Sequence, residues 1–229
     1  MYEGKAKILY STNDPKLLIQ YFKDDATAFN AAKKGTIAQK GIVNNKISAK
    51  IFEYLSSKGI KTHFVSLLND REMLVRNVKI FPLEVVVRNI TAGSVCKRLG
   101  LEEGVELKNP MVEFFYKCDH LNDPLVNRDH ILAFDWATDE EVSYMKSEAL
   151  RVNQHVKEFW QTRGIRLVDF KLEFGRDLDG NILLADEVSP DTCRLWDAET
   201  NTKLDKDRFR HDLGQVEEGY QNLMARAEQ

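Results

Sequence analysis

An α+β fold built on largely antiparallel sheet is what this 229-residue chain predicts. Three observations carry it. An Asp179-Gly180 turn joins two alternating runs within 165–189, a long amphipathic helix at 138–163 stands directly before them, and the strand and helix segments never settle into regular βαβ alternation.

In chain order, alternation over 6–10 and 17–23, separated by Asn13-Asp14-Pro15, predicts an opening antiparallel pair. From 37 to 57, Ile42, Val43, Ile47, Ile51, Phe52 and Leu55 recur at helical spacing, and Gly59 supplies the stop. Strands follow at 62–68, 73–78 and 83–90, with Phe81-Pro82 marking the boundary between the last two. A domain junction is placed there, dividing 1–82 from 83–229. Thr91-Ala92-Gly93 turns the chain into a short helix with Ser94 as its N-cap. In the 138–163 helix, Thr138 and Glu141 form a capping box, and Val142, Met145, Ala149, Val152, Val156 and Phe159 form an apolar stripe. Gly164 ends it, and the stripe should back the sheet that carries the hairpin. A last helix runs from 215 to 226, and no internal repeat appears.

Composition narrows the function. A formal net charge of −3 provides no basic footprint for nucleic acid, so small-molecule chemistry is the better expectation. Cys96, Cys118 and Cys193 are odd in number and lack metal-ligand or disulfide-framework spacing, which fits a reducing cytoplasm. No window approaches the roughly 18 apolar residues that span a bilayer, and the N-terminus has no apolar signal core, so neither membrane nor export is expected.

The hairpin concentrates the chemistry. Val168, Phe170, Leu172 and Phe174 fall on one strand face, and Asp169, Lys171 and Glu173 on the other. A two-residue turn at Asp179-Gly180 sets Glu173 opposite Asp186, and like charges about 5 Å apart repel unless a cation lies between them. Oxygen ligands without His or Cys suit Mg²⁺, which usually takes one or two carboxylates plus substrate phosphates. The same register puts Glu187 opposite Leu172 on the apolar face, which calls for a bulge or a wet end. The bland alternative is a surface hairpin with solvated charges.

Elsewhere, Gly4-Lys5-Ala6-Lys7 offers a pliable backbone and two lysines on one strand face, able to close over phosphates; the alternative is a solvated strand start. Arg88 at a strand end and Ser94 at the following helix form a plausible phosphate-monoester site, unless Ser94 merely caps and Arg88 pairs with a carboxylate. Residues 189–197 read as a binding loop bearing Asp191, Arg194 and Asp197, with Trp196 a core anchor and Cys193 a packed thiol. Lys206 to Arg210 read as a solvated helix start. No P-loop and no protein-kinase motif occurs.

With these residues laid out, the chain resembles the SAICAR synthetase family of purine biosynthesis over essentially its full length. The resemblance rests on YEGKAK at 2–7, GIVNNKIS at 41–48, EVVVRNITAGSVCKR at 84–98, LVDFKLEFG at 167–175, LADEVSPDTCRLWD at 184–197 and DKDRFR at 205–210. It implies a small nucleotide-binding sheet domain and a larger α+β domain with ATP in the cleft between them. It also implies ATP-driven condensation of L-aspartate with the carboxylate of the aminoimidazole ribotide CAIR, giving SAICAR, ADP and phosphate. By motif position, Gly4, Lys5 and Lys7 sit over the ATP phosphates, Glu173 and Asp186 hold Mg²⁺, and Arg88, Ser94 and Arg194 bind the ribotide phosphate. Asp169 and Lys171 face the reacting end as catalytic residues, Asp191 marks the aspartate end, and a homodimer is expected. The competing hypothesis is a bare nucleotide-binding module or phosphotransferase, which needs no second phosphate pocket at Arg88, Ser94 and Arg194.

Overall fold

The computed structural model describes residues 1–28 and 33–229. Strands β1 (Tyr2–Glu3), β2 (Lys7–Ser11) and β3 (Leu17–Phe22) open the chain as the antiparallel set that the alternation predicts. After a two-stranded ribbon, β4 (Asp25–Ala28) and β5 (Lys33–Thr36), helix α1 (Lys40–Ser57) buries Val43, Ile47, Ile51, Phe52 and Leu55 along one face. Strands β6 (Phe64–Leu67) and β7 (Glu72–Arg76) then complete a five-stranded sheet in the order β1-β2-β3-β7-β6.

The second sheet begins one residue later. Strand β8 (Val78–Ile90) is followed by α2 (Ser94–Leu99), β9 (Glu106–Tyr116), β10 (Leu125–Val126), α3 (Arg128–Ala133) and α4 (Asp139–Gln161). The chain closes with β11 (Ile165–Asp177), β12 (Ile182–Ala185), β13 (Cys193–Asp197), α5 (Asp207–Arg210) and α6 (Val216–Ala227). The sheet order is β10-β9-β8-β11-β12, with β13 also pairing β11. In α4 the reciprocal Thr138–Glu141 capping box is present and every residue of the expected stripe is buried. One apolar core runs under both sheets, joining Phe22 and Val75 of the first to Phe170 and Phe174 of the second through α1 and α4.

Several expectations change. Phe81-Pro82 does not end a strand: β8 runs through it, because the ladder to β11 shifts register there. Residues 81–83 face Phe174 alone, and that bulge seats a proline that has no N–H to give. Glu173 faces Ala185, not Asp186. The loop is three residues, Leu178-Asp179-Gly180, closed by Asp177 N–H donating to Asn181 O at 2.9 Å, with Gly180 at φ 83°. Gly180 ends a three-residue loop rather than centring a two-residue one, which moves the register by one. Residues 189–197 are not all loop, since β13 pairs β11 from Ile165 to Phe170.

The outer edge of β11 is therefore shared by two short strands, β12 beside 173–176 and β13 beside 165–170. Between them, 186–192 arches over the middle of the strand. Asp186, at φ 65°, breaks β12 and takes Glu187 off the ladder, which resolves the apparent clash of Glu187 with Leu172. A parallel bridge between Thr62 and Leu184, and Gln20 Nε2 donating to Asp186 O at 3.1 Å, pin this exit against the first sheet.

Candidate active site

A cleft of about 1170 Å³ lies over the charged face of β11, walled by the β1–β2 turn on one side and by β8, the 186–194 segment and α5 on the others. Its two ends differ in charge.

At one end carboxylates dominate. Glu173 stands directly across the ladder from Glu84, and Lys171 bridges them, Nζ lying 2.8 Å from Glu173 Oε1 and 2.9 Å from Glu84 Oε1. This is not the acid pair expected across the hairpin: the carboxylate opposed to Glu173 is Glu84 of β8, on the other edge of β11. Asp186 Oδ2 lies 4.0 Å from the same ammonium, and Lys117 bonds the other oxygen of Glu173. Burial opposes the charge on Lys171, but Glu173, Glu84 and Asp186 outweigh it and raise its pKa well above the ordinary lysine value. Burial raises the pKa of Glu84, offset in part by Lys171. Burial also acts against the Asp186 charge, but Lys7 and Lys171 win and hold its pKa far below the usual range.

The β1–β2 turn is fastened to this end. Gly4 N–H donates to Lys7 O at 2.8 Å, closing a tight loop. Lys7 bonds Asp186 and lies 2.9 Å from Glu187 Oε1, while Lys5 Nζ is 2.6 Å from Asp119 Oδ1 on the segment after β9. Both lysines of the motif therefore reach across from the first sheet to carboxylates of the second.

At the other end guanidinium groups dominate. Arg88 donates from Nη1 to Asp169 at 2.7 Å, from Nε to Glu113 at 2.7 Å and from Nη2 to Ser94 Oγ at 3.0 Å. Arg194 Nη1 lies 2.9 Å from the same Asp169 oxygen, and its Nε donates to Asp207 at 2.7 Å. Arg210 takes the other Asp207 oxygen at 2.6 Å. Burial acts against both charges, yet Arg194 is held firmly protonated by Asp169 and Asp207, and the arginines pull Asp207 down to about 2. Gly93 lets Arg194 pass: a Cβ there would meet Arg194 Nη2 at 2.5 Å.

These positions correct two assignments, the Ser94 cap and the solvated start at Lys206, and give the partners of Asp169 and Asp191. Ser94 does not cap α2; Gly93 precedes the helix, and the Ser94 hydroxyl accepts from Arg88. Asp169 lines the cleft, its carboxylate taken by two guanidinium groups. Asp191 is buried, its carboxylate filled by Lys40 at 3.0 Å, Lys206 at 3.1 Å and the Tyr220 hydroxyl at 2.7 Å. Lys206 to Arg210 is no solvated helix start, because Asp207 and Arg208 are buried. Sequence reasoning also passed over Glu84, Lys117 and Glu187. Glu84 was within reach, since alternation puts it on the face of Arg88; nothing local marks Lys117, which arrives only through the pairing of β9 with β8.

For a metal, the donors at the acid end are all carboxylate oxygens. Among the described residues no cluster of three or more His, Cys, Asp or Glu could hold an ion by protein atoms alone. Glu173 and Asp186, sharing Lys171 as neighbour, fit an ion that takes two carboxylates and completes its shell with phosphates and water, which is the habit of Mg²⁺.

A two-sheet α+β scaffold whose one cleft pairs lysines with carboxylates at one end and gathers arginines at the other is the layout of an enzyme for charged small molecules. The SAICAR synthetase family model matches residues 1–227. A phosphoribosylaminoimidazole-succinocarboxamide synthase of Caldanaerobacter subterraneus is 56% identical over 229 residues, covering 100% of this chain and 97% of that one. Among solved structures, the synthase of Ehrlichia chaffeensis superposes with a TM-score of 0.97 at 50% identity, covering 100% of this chain and 98% of that one. A SAICAR synthetase in complex with ADP gives 0.96 at 47%, covering 99% and 96%. The chain belongs to the SAICAR synthetase family.

Proposed function

We propose that this cleft performs the reaction of its family: the chain is an ATP-dependent carboxylate–amine ligase that condenses L-aspartate with the carboxylate of CAIR, giving SAICAR, ADP and phosphate in purine biosynthesis. The observation that carries the reading is the division of one charged face into an acid end and a guanidinium end, with Lys171 between them.

An amine does not displace oxide from a carboxylate. Transfer of the ATP γ-phosphoryl group to the CAIR carboxylate gives an acyl phosphate; the aspartate amine then attacks the acyl carbon, the C–N bond forms, and inorganic phosphate leaves. The protein's share is positioning and charge stabilisation. Lys5 and Lys7, with Gly4 in their turn, take the ATP phosphates, and Lys171 stabilises the transferring group. Arg88, Ser94 and Arg194 hold the ribotide phosphate. Asp169 is a positioning residue that holds the two arginines at a fixed separation. Glu173 and Asp186 would hold Mg²⁺, which would neutralise polyphosphate charge when bound. Nucleotide entry then exchanges partners: lysines that now bond carboxylates turn to phosphates.

The first sheet serves the nucleotide and the second carries the metal and ribotide sites, a reading supported by Lys5 and Lys7 lying by β1 and β2; the sheets change at Asn77, between β7 and β8, rather than at residue 82. The resemblance carries the expectation of a homodimer. A cytoplasmic location is supported by three cysteines without a disulfide, and no helix among the described residues is long and apolar enough to cross a membrane. An ADP-release assay with both CAIR and aspartate, then omitting each, tests the reaction. Release should require both, and release without either acceptor would overturn it in favour of a phosphotransferase or simple ATPase.

A further inference from the structure

We propose that Cys118 is a modification site, a thiol that His120 deprotonates for exchange with low-molecular-weight disulfides. The mixed disulfide loosens the cleft wall at the acid end, where the reading above puts the nucleotide.

The chain carries three thiols, and their surroundings differ. Cys193 is 2% exposed, and burial pushes its thiol well above the ordinary range, so it keeps its proton and meets no reagent. Cys96 is half-buried and points its thiol at Glu102 O at 3.7 Å, a carbonyl that takes a hydrogen bond but not a proton. Cys118 is half-buried as well, and its Sγ lies 3.2 Å from Nδ1 and 3.7 Å from Nε2 of the exposed His120. A neutral imidazole whose Nδ1 carries no hydrogen accepts the thiol proton at that distance, and the thiolate is the form that attacks a disulfide. Nucleophile and base stand together at Cys118 and at neither other thiol.

Position couples this sulphur to the cleft. Cys118 N–H donates to Asp123 Oδ1 at 2.7 Å, and Cys118 O accepts from Leu121 N–H at 2.9 Å and Asp123 N–H at 3.2 Å, so 118–123 is one tight turn. Lys117, Asp119, Asn122 and Asp123 of this segment line the cleft, with Lys117 bonding Glu173 and Asp119 bonding Lys5. In the exchange, His120 takes the thiol proton and the thiolate attacks one sulphur of R–S–S–R. The Cys118–S–S–R bond forms, the old S–S bond breaks, and the other half leaves as RS⁻ and takes the proton from His120. Cys118 is oxidised, and that half of the reagent is reduced to a thiol. The R group needs the space where the imidazole now stands against the sulphur, so the single helical turn Asp119–Leu121 is pushed aside and the cleft wall moves with it.

The test treats the whole protein with bis(2-hydroxyethyl) disulfide, an uncharged reagent, and reads peptide mass mapping and calorimetry with ADP. Cys118 should be labelled roughly 10-fold or more faster than Cys96, Cys193 should stay unlabelled, and His120→Asn should slow Cys118 to the rate of Cys96. The adduct should bind ADP about 3- to 10-fold more weakly, dithiothreitol should restore the affinity, and Cys118→Ser should bind ADP normally with or without the reagent. Equal labelling of Cys96 and Cys118, or an unchanged rate in His120→Asn, would overturn the activated thiol. An adduct with unaltered ADP affinity would overturn its coupling to the cleft. Should either variant fail to fold, the wild-type labelling ratio and the ADP affinity of the wild-type adduct decide. Neither readout needs turnover, so ADP release without an acceptor would sink the ligase reading and leave this site standing.

Discussion

The two ends of the cleft are built from neighbouring residues of one strand yet hold their charges differently. At the acid end, Lys7, Lys117 and Lys171 meet Glu84, Glu173, Asp186 and Glu187, and the lysine side chains keep 16 to 33% of their surface exposed. At the guanidinium end, Arg88 and Asp169 are 3% and 4% exposed, and although Arg194 and Arg210 keep 18% and 26%, all are held by hydrogen bonds to Asp169 and Asp207. Lysine is a mobile point charge and arginine a rigid planar fork. The acid end is therefore suited to exchanging ion partners when nucleotide and metal arrive, and the other to receiving a phosphate in a pocket that is already set.

The largest expected effect lies at the acid end. Glu173→Gln keeps the shape of the side chain but removes the charge that Lys171 and Lys117 share, and with it a metal ligand. Mg²⁺-dependent ADP formation should fall by about 10²- to 10³-fold, the scale for losing one preorganised electrostatic partner. Lys171 retains Glu84, so thermal melting should change little. Near-normal turnover would refute the metal role and with it the contrast between the ends.

Arg88→Ala breaks the rigid end. It takes one of two cationic partners from Asp169, which keeps Arg194, and from the half-buried Glu113, which keeps Arg98, so the cost stays below the roughly 3–5 kcal/mol of leaving a buried charge with no partner. In protein that remains folded, the KM for the ribotide should rise roughly 10- to 100-fold while that for ATP changes far less. Equal effects on both would remove the assignment of this end to the ribotide phosphate.

How far the sequence foretold this contrast follows from which contacts are local. The apolar face of β11, the α4 stripe and its capping box depend on spacing within one element, and all are where alternation and helical period put them. The pairing of Glu173 with Asp186 across the hairpin does not hold. Turn length fixes register, and Asp179-Gly180 fits either a two-residue loop or the end of a three-residue one. The carboxylate facing Glu173 is Glu84, from a strand 89 residues earlier on the other edge of β11, which no turn length could indicate. Lys117, and the Asp191–Lys40–Tyr220 cluster, depend on packing between distant elements and carry no local mark. Arg88 and Asp169 could each be read as polar strand residues; that they neutralise each other is a property of the ladder between β8 and β11.

A smaller change sharpens the idea that the guanidinium end is preset. Gly93 has φ 64° and ψ −129°, a region open essentially to glycine alone, and an added Cβ collides with Arg194 Nη2 at 2.5 Å. Gly93→Ala should cost about 1–3 kcal/mol in strain and displace the arginine. The ribotide KM should rise several-fold with the ATP KM unchanged, and a crystal structure of the variant should show Arg194 moved. An unmoved Arg194 with normal kinetics would show that this end tolerates more play than its hydrogen bonds imply.

The smallest effect concerns Asp205, the acid of this end whose oxygens are taken by backbone N–H groups, those of Leu195 at 2.7 Å and Asp207 at 2.8 Å, rather than by a cation. Burial, and then the neighbouring Asp207 charge, push its pKa up from 3.8 to about 7, while Asp207, holding Arg194 and Arg210, moves down. Between those two values of Asp205 the native state keeps a proton that the unfolded chain has released. Its contribution is therefore fully present below pH 3.8 and is lost as pH rises through about 7. The slope from one such group is at most about 1.4 kcal/mol per pH unit. Asp205→Asn keeps an acceptor oxygen and removes the titration, so unfolding free energies measured by denaturant between pH 4 and 8 should decline less steeply than in the wild type. Parallel curves would mean that Asp205 remains ionised, its charge stabilised by the same excess of arginine that sets this end of the cleft apart from the other.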